Sequence, residues 1–320
     1  MIENFVPVTH RQVAIIGAGY VGASIAYALT ITNLAREIIL INRHKEKAIG
    51  EALDIQHGMI GFGSSRIRPG DYEDCRDCDL IIITTGRNRR LGETRLELIP
   101  DNIEIIRSVV GLMKPRYTRG TIMIVAKPVD IMTYECDKIM GLPNGRVFGT
   151  GCVLDTSRLV REIANYTHLK PEAVKCNIVG EHGDSQSPVW SRLSIAGIPM
   201  EEYCENAGLP WGGEQKIELY NKVKGMGAQI IGAKGKTHYG IATCVCALAD
   251  AVLNQRLTIA TVTTPLQGEY GIRDVCVSIP SIIGVNGVEH RIEEEWTEKE
   301  YELLHRSAQR MEEAIETIKD

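Results

Sequence analysis

The segment Val179-Gly180-Glu181-His182-Gly183-Asp184-Ser185 carries the one side chain type whose ordinary pKa lets it give and take protons near neutral pH, the imidazole of His182. Gly180 and Gly183, on either side of it, remove side-chain bulk and leave the ring room to stand in a cleft. Upstream, Leu154-Asp155-Thr156-Ser157-Arg158 supplies a carboxylate and a guanidinium. A carboxylate such as Asp155 can hold one ring nitrogen and leave the other facing a substrate, the orientation that acid–base histidines need. A second constellation, Gly17-Ala18-Gly19-Tyr20-Val21-Gly22, has the spacing of a dinucleotide-binding turn. There Gly17 allows the tight turn, Gly19 lets a pyrophosphate approach the backbone, and Gly22 lets helix pack on strand. The helix N-terminus adds amides and partial positive charge.

These residues need elements to hold them. Val13–Ile16 reads as a strand, followed by the glycine-rich turn and a helix from about Val21 to Thr30. Ile38–Ile41 is the next strand, with a charged helix running to about His57. Leu80–Thr84 and Ile122–Ala126 are two further buried strands, separated by a helix from about Leu96 to Met113. Continuous β-branched runs alternating with helices predict an α/β protein, a doubly wound parallel Rossmann sheet covered on both faces. Beyond about Gly149 the rhythm changes. A helix starts near Leu154, a strand is expected over 174–179, glycine-interrupted segments follow, and an amphipathic helix covers about 297–319. The expected organisation is a dinucleotide-binding domain over 1–149 and an α+β substrate or catalytic domain over 150–320, packed tightly around one cleft.

Bulk properties narrow the classes. The 320 residues are 44% apolar and 24% charged, enough for a real core, and the net charge of −5 gives no basic face for nucleic acid or an anionic membrane. No apolar run approaches the roughly 20 residues that span a bilayer, and MIENFVPVTHRQ has no signal pattern. The nine cysteines, an odd number scattered through core segments, fit free thiols in a reducing compartment, so cytoplasmic residence is expected. Cys75 and Cys78 form a single CxxC without a second pair or a nearby histidine, so no metal is expected.

One position sharpens the cofactor question. Asn42 lies 20 residues beyond Gly22, where an acidic residue normally binds the adenosine ribose hydroxyls. An amide still hydrogen-bonds a ribose but does not repel a 2′-phosphate, and Arg43 and His44 next door are able to attract one. NAD is the first expectation, with NADP left open; alternatively Arg43 only lines the adenine pocket.

Together these motifs resemble the lactate/malate dehydrogenase family, its L-lactate branch most closely, over nearly the whole chain. The resemblance also takes in Gly92-Glu93-Thr94-Arg95, Pro128-Val129-Asp130-Ile131 and Ser187-Pro188-Val189-Trp190. Lys234-Gly235-Lys236-Thr237 and Ile279-Pro280-Ser281-Ile282-Ile283-Gly284 extend it toward the C-terminus. It implies an oxidoreductase that moves a hydride reversibly between NAD(H) and a small 2-keto/2-hydroxy acid. His182 would exchange the proton, Asp155 would orient it, and Arg158 would clamp the substrate carboxylate through a bidentate fork. Arg95 would ride on a closing loop, Gly86–Arg95, and polarise the carbonyl. Cofactor contacts would include Tyr20, Val21, Thr85, Gly86, Arg87 and Val125 besides the three glycines, Asn42 and Arg43. A homodimer or homotetramer is implied as well.

The chain departs from the family pattern at informative places. Arg89 stands where lactate-type members carry Gln and malate-type members Arg, which by itself favours oxaloacetate/malate. An unpaired cation opposite a methyl group in a closed site would be costly. Thr237, at a position that narrows the side-chain pocket in lactate-type members, favours pyruvate/L-lactate, and the breadth of resemblance favours it too. Lys127 replaces the family's Asn beside substrate oxygen and nicotinamide. It would place positive charge near a protonated His182 unless burial neutralised the amine, which opens a catalytically impaired homologue as another reading. Finally, Val160 and Lys175 occupy positions that are Arg and His in members activated by a sugar bisphosphate, which argues against that control.

Overall fold

The computed structural model describes residues 11–61, 63–87 and 95–318, the side chains of 95–97 excepted. Six short strands form a parallel sheet: β1 (Gln12–Ile16), β2 (Glu37–Ile41), β3 (Arg66–Gly70), β4 (Leu80–Ile83), β5 (Thr121–Ile124) and β6 (Val147–Gly149). The helices between them are α1 (Tyr20–Ile31), α2 (Lys45–His57), α3 (Arg95–Met113) and α4 (Val129–Met140). Residues 13–16, 38–41, 80–83 and 121–124 are buried throughout, as a sheet covered on both faces requires. Successive residues point to opposite faces. Ala14, Ile16, Ile81 and Ile83 therefore pack with α3 and α4, while Val13, Ile15, Leu80 and Ile82 pack with α1 and α2.

The strand order is β3-β2-β1-β4-β5-β6, so chain direction of travel reverses between β1 and β4. Loops leaving the carboxyl ends on either side of such a switch point diverge and open a crevice. The glycine-rich turn after β1, residues 42–44 after β2, 84–87 after β4 and 125–128 after β5 all leave from that edge.

Past β6 the chain adds α5 (Val153–Thr167), short strands β7 (Val174–Lys175), β8 (Ile178–Val179), β9 (Ser187–Pro188), β10 (Ser194–Ile195) and β11 (Ile198–Pro199), then α6 (Met200–Ala207), α7 (Gly213–Lys234) and α8 (Tyr239–Leu253). The long strands β12 (Thr258–Gln267) and β13 (Arg273–Gly284), with β14 (Gly287–Arg291), precede the last helix, α9 (Glu298–Glu316). β12 pairs antiparallel with β6 at Thr263 and Gly149, so one nine-stranded sheet runs through both halves of the chain. α9 covers the α3/α4 face and α8 the α1/α2 face, and the halves share their cores.

Two expectations need correction. The strand expected over 174–179 is two strands with different partners: β7 joins β10, and β8 joins β9. The break falls at Asn177, whose Oδ1 accepts the Thr261 hydroxyl at 3.1 Å and whose carbonyl accepts the Val189 N–H at 2.9 Å. Strand β3 was not anticipated, since Arg66-Ile-Arg-Pro-Gly lacks a buried apolar run; it is an edge strand, where proline is tolerated. All nine cysteines are free, and among the described residues no helix is long and apolar enough to cross a membrane.

Candidate active site

The glycine-rich turn is held at several points. Gly17 N–H donates to Ile41 O at 2.7 Å, Ala18 N–H to Asn42 Oδ1 at 3.2 Å, and the Thr84 hydroxyl to Gly17 O at 2.9 Å. A Cβ at Gly22 would stand 1.8 Å from Gly17 O, so helix α1 approaches the turn as closely as only glycine permits. Gly19 differs: a Cβ there would meet no protein atom within 4 Å. Packing does not demand that glycine; it leaves bare backbone toward the crevice. Against Gly17, the buried Thr85 Oγ1 has no hydrogen-bond partner among the described residues, a cost that a bound polar group would relieve. Lys236 lies 3.6 Å from the Tyr20 ring centre and Lys47 lies 6.0 Å from it, so positive charge flanks the start of α1. Open space over bare backbone, an orphan hydroxyl and local cations together fit a pyrophosphate.

His182 sits in the loop between β8 and β9. Its Nδ1 is 2.5 Å from Asp155 Oδ2, and Arg158 Nη1 donates to Asp155 Oδ1 at 3.2 Å. Asp155 and Arg158 share one face of α5 at i, i+3 spacing, which lets a single buried carboxylate serve both the guanidinium and the imidazole. Burial pushes the Asp155 carboxyl up, but His182, Arg158 and Lys127 outweigh it and hold the group below its usual range. The imidazole side chain is 18% exposed against 5% for its carboxylate partner, so Nε2 is the end available to a substrate.

Three other elements fix the histidine loop. Asp130, on the first turn of α4, accepts the His182 N–H through Oδ2 at 2.8 Å. Burial drives Asp130 up to about 6 against the pull of Thr263 and His182. Ser307 on α9 accepts the Glu181 N–H at 2.7 Å and meets the Ser185 hydroxyl at 2.9 Å. Gly180 exchanges both backbone hydrogen bonds with Ser278 of β13. It has φ +93°, and a Cβ would lie 2.7 Å from Ser307 Oγ. Here the sequence expectation is corrected: Gly180 serves the docking of the loop on α9 rather than substrate access.

The remaining expected residues are placed as follows. Lys127 follows β5 and its carbonyl accepts Asn102 Nδ2 at 2.8 Å. It is exposed, and its positive charge acts on Asp155. Thr237 is half-buried between α7 and α8. Val125 is buried and continues the line of β5, its N–H donating to Ile83 O at 2.9 Å. Gly86 adjoins Asn102, and Arg87 ion-pairs with Asp101. Arg43 and His44 are exposed beside Asn42. Arg95 opens α3, its side chain outside the described residues, as is the whole of Arg89. Asp130, Ser278, Ser307 and Asn102 were missed as site residues. Only Asp130 carried a signal, lying within the Pro128–Ile131 motif.

A switch-point crevice with a pyrophosphate-shaped turn, and an imidazole–carboxylate–guanidinium set whose carboxylate also feels the charge of Lys127, are the parts of a dinucleotide-dependent oxidoreductase. Known proteins agree. Residues 11–149 match the lactate/malate dehydrogenase NAD binding domain, and 152–320 match the lactate/malate dehydrogenase alpha/beta C-terminal domain. An L-lactate dehydrogenase of Acetivibrio thermocellus is 37% identical over 308 residues, 96% of this chain and 97% of that protein. One of Geobacillus kaustophilus is 41% identical over 300 residues, 93% and 94% of the two chains. The minor L-lactate dehydrogenase from Enterococcus mundtii, solved in a ligands-bound form, superposes with a TM-score of 0.93 at 38% identity, covering 97% and 99%. The chain belongs to the lactate/malate dehydrogenase family, and its cofactor is NAD.

Proposed function

We propose that this protein interconverts pyruvate and L-lactate. The observation that carries the reading is the His182–Asp155–Arg158 cluster, in a chain that also carries the glycine-rich turn. When bound, NAD supplies the hydride acceptor and NADH the donor. Arg158, anchored on Asp155, binds the substrate carboxylate and sets its orientation. His182 Nε2 then gives a proton to the carbonyl oxygen as the alcohol forms, or takes it back in reverse, while Asp155 stabilises the charged ring. Lys127 offers an ammonium to the same oxygen, where an amide would offer a neutral donor. Arg95, at the head of α3, completes the set of cations, and Thr237 narrows the pocket for the substrate's methyl group. In this division of labour residues 1–149 hold the cofactor and 150–320 the substrate.

The assembly reading is a homodimer or homotetramer, supported by exposed Ile49 and Leu53 on α2 and exposed Ile230 and Ile231 on α7; sedimentation velocity tests it. Free thiols throughout support a cytoplasmic setting.

Steady-state turnover of pyruvate and oxaloacetate with NADH, on the protein and its Arg89→Gln and Lys127→Asn variants, tests the function. Faster pyruvate turnover is expected. Faster oxaloacetate turnover, lost on Arg89→Gln, would establish a malate dehydrogenase instead. NADH binding without turnover, rescued by Lys127→Asn, would establish an impaired homologue.

A further inference from the structure

At the carboxyl end of β2 the chain reads Asn42-Arg43-His44. Rossmann folds that bind NAD place a carboxylate there on the ribose hydroxyls, whereas a nearby arginine accommodates the 2′-phosphate of NADP. The Asn42 amide is built into the backbone around it. Oδ1 accepts the Ala18 N–H of the glycine-rich turn, and Nδ2 donates to the His44 carbonyl at 3.0 Å. The second bond needs an N–H donor, so a carboxylate could not make it. The turn is therefore organised around an uncharged side chain, and nothing at this position repels a phosphate.

Immediately beyond, Arg43 Nη2 donates to His44 Nε2 at 3.5 Å, both side chains exposed. Neither pairs with a carboxylate among the described residues. The run continues Lys45-Glu46-Lys47, so one carboxylate stands among four basic side chains. A guanidinium propped by a neighbouring imidazole, with its other N–H donors toward solvent, is a natural seat for an anion, and arginine's fork suits phosphate geometry.

We propose that the end of β2 is a 2′-phosphate subsite, in which Arg43 and His44 hold the group and Asn42 admits it, so that this dehydrogenase uses NADP(H) as well as NAD(H). The proposal rests on the dinucleotide-dependent reading of the site. Calorimetric titration of the intact enzyme with 2′,5′-ADP and with 5′-AMP separates the two. The expected result is that 2′,5′-ADP binds at least as tightly as 5′-AMP. Arg43→Gln should then lower the ratio of the two affinities by about tenfold, the loss of a charge-assisted hydrogen bond. His44→Gln should lower it less, and NADPH/NADH discrimination in kcat/KM with pyruvate should move in parallel. The proposal is overturned if 2′,5′-ADP binds more than about tenfold weaker than 5′-AMP, or if Arg43→Gln leaves the ratio unmoved. If neither nucleotide binds, the dinucleotide site itself is wrong and the proposal falls with it.

Discussion

Asp155 concentrates the chemistry of this site in one buried group. It is 3% exposed, yet its two oxygens serve His182 and Arg158 separately. An amide at this position could still touch both neighbours, but it would neither stabilise a charged imidazole nor accept from both cations. Asp155→Asn is therefore expected to lower kcat by about 10²–10⁴-fold, the range of acid–base contributions. KM for the keto acid should rise as well, because Arg158 loses its anchor. Single-turnover measurements under saturating NADH separate the two effects; a variant with unchanged kcat would remove His182–Asp155 from the chemistry. The pair was legible in the sequence because a histidine between glycines and an acid–arginine run are local patterns. Asp130 and Ser307 were not, because they lie 52 residues from His182 and 126 residues from Glu181, respectively, and meet them only through packing.

Elements matter here through how they fix short loops. Gly19 and Gly22 belong to one turn but answer to different constraints. A methyl at Gly22 would collide with Gly17 O, so Gly22→Ala should cost about 1–3 kcal/mol of stability by overpacking. A methyl at Gly19 meets open crevice, so Gly19→Ala should leave the urea midpoint nearly unmoved while weakening NADH binding; loss of stability with intact binding would reverse the assignment. Helix α3 offers a second case. Asn102 is fully buried, accepts the Arg87 N–H at 2.8 Å, and donates to Arg87 O at 3.3 Å and Lys127 O at 2.8 Å. Asn102→Asp keeps the acceptor and loses both donors, so a stability loss of about 1–3 kcal/mol is expected, with a drop in kcat because Arg95 heads the same helix. A variant that loses stability but keeps kcat would show that the clasp is structural only. The four parallel strands β1, β2, β4 and β5 were legible because each is an almost uninterrupted apolar run. The split at Asn177 and edge strand β3 were not, because sequence periodicity does not reveal which partner a short strand will find.

At the scale of the whole molecule, the sheet and core shared by both halves bury carboxyl groups in two opposite ways, and their balance sets how stability follows pH. Burial pushes Asp130 and Asp137, both on α4, up to about 6. Between about pH 4 and 6 the folded chain therefore keeps protons that the unfolded chain has released, so stability falls as pH rises through that window. Other carboxyls pull the opposite way despite a burial contribution that raises each of them. Arg68 lowers Asp74; His182, Arg158 and Lys127 lower Asp155; Lys216 lowers Glu201; Ser191 and Thr297 lower Glu300. Their contribution is present above the ordinary carboxylate range and is lost as pH falls through it. The two sets together place maximal stability on the acid side of neutrality, near pH 5. Calorimetric scans should show Tm rising by about 2–6 °C from pH 7 to about 5 and falling again below about pH 4. Asp137 lies outside the catalytic cluster, so Asp137→Asn should flatten the upper limb without abolishing turnover. A Tm that declines steadily from pH 7 downward would mean that the α4 carboxyls are ionised at no cost to the fold, and that Asp130 is a charged partner of the His182 loop at every working pH.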